Sequence, residues 1–67
     1  MDLKQLEYIV QIAKEKNITK AAEKLFITQS ALNQQLLKLE KELGSPLFYR
    51  SRTNWHLTEV GEIYIET

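Results

Sequence analysis

Cysteine is absent from this 67-residue chain, which excludes disulfides and thiolate metal sites. A single histidine, His56, and a single aspartate, Asp2, leave little material for acid–base or metal chemistry. Gly44 and Gly61 stand far apart, so no glycine-rich phosphate cradle can form. Ser30 and Ser51 have no base at a spacing that would activate either hydroxyl. These absences argue against an enzyme and lead to the expectation of no metal and no cofactor. No apolar run approaches the roughly 20 residues of a membrane span, and the first residues carry no signal-peptide pattern. The chain therefore reads as a soluble cytoplasmic domain without a membrane partner.

Net charge is missing too, because nine basic and nine acidic residues cancel. The distribution is more informative than the sum. No carboxylate occurs between Lys24 and Leu39 or between Leu43 and Thr58, and those windows hold Lys24, Lys38, Arg50, Arg52 and His56. A neutral chain with such windows can still offer a cationic face. The apolar content of 43% suffices for one compact core in one small domain. A chain of this length buries only roughly 60% of its unfolded surface, which is close to the lower limit for folding unaided.

The stretch "TQSALNQQLLKLEKELG", Thr28 to Gly44, is where the composition becomes specific. Leu32, Leu36, Leu39 and Leu43 recur at helical spacing and define a core-facing stripe. The opposite side opens with Gln29, Ser30, Asn33, Gln34 and Lys38, with amides where a surface helix usually mixes Glu and Lys. Amides donate and accept together and so match base edges, whereas a carboxylate would repel phosphate. The alternative is an ordinary solvated helix face.

Start and stop signals place the other elements. Asp2 and Gln5 resemble a capping box ahead of the stripe Leu3, Leu6, Ile9, Val10 and Ala13, which predicts a helix over about 3–16. Thr19 can cap a short helix over 19–26 carrying Ala21, Ala22 and Leu25. Thr28 caps the helix 29–43, with Ile27 and Leu32 spaced as a hydrophobic staple. Gly44 is the expected left-handed stop, and Pro46 follows where a helix cannot continue. "LFYRS" and "WHLT" then flank "RTN" as a hairpin with a polar tip. Thr58 caps a final helix from Glu59 with Val60, Ile63, Tyr64 and Thr67 on one side. That helix has no stop signal, so a longer protein is expected. The expected core is Leu6, Ile9, Val10, Ala13, Ala22, Leu25, Leu32, Leu36, Leu39 and Leu43.

Two short helices joined by a tight turn, with small Ala21 and Ala22 allowing close approach, form a helix-turn-helix. Its second helix can lie in a DNA major groove, and the hairpin then serves as a wing against backbone or minor groove. Arg52, near the hairpin tip, suits DNA contact. Arg50 has two readings, a DNA contact or a stem packed on the core with its head on a helix end. Trp55 suits core packing, and His56 an ordinary strand position.

Five blocks in order resemble the N-terminal winged helix-turn-helix domain of LysR-type transcriptional regulators. They are A-A-x-x-L at Ala21 to Leu25, Thr28-Gln29-Ser30, L-E-x-x-L-G at Leu39 to Gly44, P-L-F-x-R at Pro46 to Arg50, and L-T-x-x-G at Leu57 to Gly61. With the Leu3, Leu6 and Ala13 stripe, the resemblance covers nearly the whole chain. It implies a mainly α fold, with a three-helix core, a two-stranded β wing and the start of a long linker helix. Residues 1–58 would be the DNA-binding domain, with the helix-turn-helix at about 18–37 and the wing at about 47–57; residues 59–67 would begin the linker. Base contacts are implied for Gln29, Ser30, Asn33 and Gln34, with Thr28 and Lys38 beside them and Arg50 and Arg52 on the wing. Val60, Ile63 and Tyr64 would belong to a homodimer contact, with a dimer or tetramer as the full-length assembly. The partner implied is operator or promoter DNA, and a small-molecule effector would bind a C-terminal domain outside this chain. Asn33-Gln34 departs from the Ser-Arg often found there, which removes a cationic contact, and Leu37 stands where a polar or basic residue is more usual. Phe26 occupies the turn that glycine often holds in helix-turn-helix proteins. A winged helix used as a protein-interaction module, without DNA, is the alternative reading.

Overall fold

The computed structural model describes residues 3–51 and 54–66. Helices α1 (Leu3–Glu15), α2 (Ile18–Leu25) and α3 (Gln29–Leu43) come first, and the hairpin strands β1 (Phe48–Tyr49) and β2 (His56–Leu57) follow. Helix α4 (Glu59–Glu66) ends the described residues. The capping box expected at Asp2 and the alignment of Thr67 with the α4 face lie outside them.

The core lies where α1, α2 and α3 meet. Ile9 and Ile12 of α1, Ile18, Ala21 and Ala22 of α2, and Leu32, Leu36 and Leu39 of α3 are buried there. Leu47, Phe48 and Tyr64 extend the core beneath the hairpin and α4. Ala21 and Ala22 have no bulk beyond Cβ, so α2 can approach both neighbours closely. Each fully buried Leu or Ile contributes about 1.5–3 kcal/mol by leaving water.

Three expectations about α1, α2 and α3 need correcting. The cap of α2 is Asn17, not Thr19: the Lys20 N–H donates to Asn17 Oδ1 at 3.0 Å, and the helix begins at Ile18. Val10 is 42% exposed, because the inward face of α1 runs through Ile9 and Ile12 and leaves Val10 at its edge. Leu43 is 45% exposed, since it lies in the final turn of α3 beyond the reach of the other helices. Leu6, Ala13 and Leu25 pack against the core but are only partly buried.

Left-handed residues terminate all three helices. Lys16, with φ 57°, follows α1, and its N–H donates to Ile12 O at 2.8 Å. Phe26, with φ 59°, follows α2, where its own N–H donates to Glu23 O and that of Ile27 to Ala22 O. Those two bonds form a Schellman motif, which turns the chain sharply into α3. Gly44, with φ 75°, ends α3 in the place expected for it. At α3 the two boundary signals agree with the structure: the Thr28 hydroxyl accepts from the Ala31 N–H at 3.0 Å, and the helix spans Gln29–Leu43.

The hairpin pairs Phe48 with Leu57 and Tyr49 with His56 in antiparallel register. Its return strand is tied to the helical core, because the Trp55 N–H donates to Lys16 O at 2.9 Å.

Candidate nucleic-acid interface

The burial of Leu32, Leu36 and Leu39 fixes which way α3 faces. Gln29, Ser30 and Gln34 are consequently exposed at its start, Asn33 is half-buried beside them, and Lys38 is exposed further along. Thr28 is exposed at the cap with its hydroxyl already accepting from Ala31. Leu37, 48% exposed, shares this side of the helix, one turn beyond Asn33. An exposed Leu there gives the far end of the face an apolar contact in place of a charge.

One side chain of this group is held from the neighbouring helix. The Thr19 hydroxyl donates to Gln29 Oε1 at 2.7 Å, bridging the start of α2 to the start of α3. From the sequence, that hydroxyl is expected to cap α2. With Asn17 serving as the cap, Thr19 is available to cross the turn.

The wing is fastened from behind by Glu40. This carboxylate is buried, and it accepts from the Leu47 N–H through Oε2 and from Arg50 Nη2 through Oε1, each at 2.7 Å. The Arg50 guanidinium also lies 5.4 Å from the Trp55 ring centroid, in cation–π range. The Arg50 head thus rests on the Glu40 side chain and beside Trp55, on an otherwise exposed residue. Trp55 in turn packs on Phe48, with ring centroids 5.9 Å apart. On the outer face Tyr49 and His56 pair at 5.2 Å. At the tip, the Ser51 hydroxyl donates to Asn54 O at 2.6 Å and accepts from the Asn54 N–H at 2.9 Å. Those two bonds close the base of the loop that carries Arg52, which itself lies outside the described residues.

The junction from wing to α4 explains the L-T-x-x-G block. Thr58 donates its hydroxyl to Pro46 O at 2.8 Å and accepts from the Gly61 N–H at 3.1 Å, while its own N–H donates to Leu47 O. A Cβ at Gly61 would stand 2.3 Å from Leu47 O, so only glycine allows this approach. Along α4, Val60 and Ile63 are exposed. Tyr64 is not: at 6% exposure it is part of the chain's own core, so the dimer contact expected of its side chain must be withdrawn. Tyr64 lies at the edge of the stripe nearest Gly61, and that edge of α4 faces the core.

No group of metal-binding side chains occurs among the described residues, and none of their helices is long and apolar enough to cross a membrane.

Comparison with known proteins gives the arrangement its context. Residues 3–62 match the model of the family described as "Bacterial regulatory helix-turn-helix protein, lysR family". The chain is 50% identical over 66 residues to the uncharacterized HTH-type transcriptional regulator YcgK of Bacillus subtilis (strain 168), covering 98% of this chain and 20% of YcgK. It is 46% identical over 66 residues to the HTH-type transcriptional regulator BudR of Klebsiella aerogenes, covering 98% of this chain and 46% of BudR. Among solved structures, the BenM DNA-binding domain in complex with benA site 1 DNA is similar at a TM-score of 0.90 and 38% identity. That match covers 98% of this chain and 74% of the BenM chain. The chain thus spans less than half of the regulators it resembles. With a family match across nearly its whole length, the chain belongs to the lysR family of bacterial regulatory helix-turn-helix proteins.

Proposed function

We propose that this chain is the sequence-specific, double-stranded-DNA-binding domain of a LysR-type transcriptional regulator. Its α3 enters the major groove by the first two turns, and the wing lies along the backbone and the adjacent minor groove. The observation that carries this reading is the start of α3. There Gln29, Ser30, Asn33 and Gln34 form a carboxylate-free face beside the α2–α3 turn, on a fold similar to a domain solved on DNA. Those four side chains read base edges, while Thr28 and Lys38 hold phosphates. Arg52 adds a wing contact, and Arg50 anchors the wing while contributing charge to the same surface.

Residues 1–58 form the DNA-binding domain, and residues 59–67 begin the linker helix through which two chains pair. The exposure of Val60 and Ile63 on α4 supports a role for them in that contact. The complete regulator works in the cytoplasm as a dimer or tetramer, with a small-molecule effector bound by a further, C-terminal domain.

The test is selection of duplex from a random pool, followed by titration of the selected and a random duplex at several salt concentrations. The expected result is an enriched motif and an affinity falling with salt at a log–log slope of about −0.9 per phosphate contact. Failure to bind any duplex at low salt would overturn this reading in favour of a protein-interaction module.

A further inference from the structure

Gln29 heads the reading face, and it is tied to a second helix before any DNA arrives. The Thr19 hydroxyl donates to Gln29 Oε1 at 2.7 Å, across the turn of the helix-turn-helix. From this bond we infer that Thr19 is a specificity-determining positioning residue, which sets Gln29 to present its Nε2 donors to the major groove. The inference rests on the proposed reading of bases by α3.

A glutamine amide is ambivalent, with a carbonyl that accepts and an NH2 that donates. Unrestrained, it can pair with adenine by donating to N7 and accepting from N6, or it can flip and offer other combinations. A hydroxyl bound to Oε1 removes much of that freedom. One lone pair of the carbonyl is taken, the amide plane is held, and the NH2 end is left outward. Guanine presents two adjacent acceptors, N7 and O6, in the major groove, whereas adenine presents one acceptor and one donor and cytosine one donor. A held donor end therefore favours guanine over adenine at the base it meets.

The placement of Thr19 supports such a role over a structural one. Asn17 already caps α2, so the helix does not need the Thr19 hydroxyl. Both ends of the bond are exposed to solvent, so it adds little to the stability of the protein alone. Its strength rises when DNA closes over it and excludes water. Fixing a flexible side chain in advance also removes an ordering cost from binding, equivalent to a few-fold in affinity.

The experiment compares the parent with Thr19→Val, Thr19→Ser and Gln29→Ala on duplexes derived from the parent's selected site, with each base varied in turn. Valine has nearly the shape of threonine without the hydroxyl, and serine retains the hydroxyl. The expected result is that Thr19→Val leaves the thermal midpoint and random-duplex binding unchanged. It should lower affinity for the selected duplex about three- to ten-fold, and relax the guanine preference at one base pair. Gln29→Ala should abolish the preference at that same base pair, Thr19→Val should add nothing on top of it, and Thr19→Ser should behave as the parent. Unchanged preference in Thr19→Val, with Gln29→Ala still losing it, would overturn the positioning role and leave base reading intact. A parent that binds selected and random duplexes equally would overturn base reading itself, and this inference with it.

Discussion

At the start of α3, Gln29, Ser30 and Gln34 are exposed to solvent, and Gln29 accepts a hydrogen bond from the Thr19 hydroxyl. Around Leu47, by contrast, Glu40 and Thr58 are buried, and both ends of each are committed to backbone or side-chain partners. Both regions carry polar residues that match the family's pattern, so the match by itself does not distinguish a reading residue from a holding one. Burial and hydrogen-bond commitment do. The L-E-x-x-L-G, P-L-F-x-R and L-T-x-x-G blocks meet at the Leu47 junction, where they clamp the wing to α3 and α4. The Thr28-Gln29-Ser30 block instead leaves Gln29 and Ser30 exposed at the start of α3. The two regions should therefore respond to substitution in opposite ways, one through stability and the other through DNA discrimination.

The sharpest way to break the holding region is Gly61→Ala. Its Cβ would meet Leu47 O at 2.3 Å and Leu57 Cδ2 at 2.8 Å. The carbonyl cannot retreat freely, because it accepts from the Thr58 N–H. A loss of about 3 kcal/mol is expected, at the upper end of overpacking costs. A domain of this size has only about 3–10 kcal/mol in total. Urea unfolding should register it as a large fall in midpoint, and loss of DNA binding should follow unfolding rather than precede it.

Glu40→Ala should come next. It leaves the Leu47 N–H without its acceptor and Arg50 without its counter-ion. Because the Arg50 side chain is 37% exposed, water can re-solvate part of the loss. We expect about 2 kcal/mol from the charged hydrogen bond to the buried N–H together with the weakened pair. The wing should also loosen, seen as faster amide exchange at Leu47 and Thr58 than at Leu32. Equal acceleration at all three would mean that the wing has no separate clamp.

The same division explains what was legible in the sequence. The limits of α3 could be read because a cap, a staple and a left-handed glycine are local signals, each written within a few residues of the boundary. The clamp could not, because Glu40, Leu47, Arg50, Thr58 and Gly61 come together only through tertiary packing. Likewise the inward side of α1 runs through Ile12 rather than Val10, because a helical stripe shows a face but not which edge its neighbours cover. At α2 the cap is Asn17, two residues before the Thr19 expected for it. The bond from Thr19 to Gln29 follows from no spacing rule. Tyr64 turns inward for the same reason that Val10 turns outward. The amide face of α3 is legible, because it is defined by composition along one helix.

To sharpen the other side of the comparison, Asn33→Ala tests a half-buried side chain at the start of α3 that is proposed to read a base. It should leave urea unfolding within about 0.5 kcal/mol of the parent, because alanine favours the helix and no core contact is removed. On the selected duplex it should cost about 1–2 kcal/mol, within the range for one base contact, and on random duplex almost nothing. A variant that weakens both duplexes equally would make Asn33 a phosphate contact and shift base reading toward Gln29 and Gln34.

The smallest effect is expected at Phe26, which belongs to neither region. Its backbone is left-handed, with φ 59°, and its side chain is 94% exposed. A left-handed conformation costs a side-chain-bearing residue about 1–2 kcal/mol, and here little burial offsets it. Glycine adopts the same conformation without steric conflict, but it loses more entropy on folding. Phe26→Gly should therefore stabilise the chain by a net ~0.5 kcal/mol, seen as a rise in thermal midpoint of a few degrees. The Schellman bonds from residues 26 and 27 to Ala22 and Glu23 use backbone atoms only, so the entry angle of α3 should be preserved. Affinity for the selected duplex should then stay at the parent value. A stabilised variant with weakened binding to every duplex would show instead that the exposed ring itself touches DNA. The boundary of the reading region would then extend into the turn.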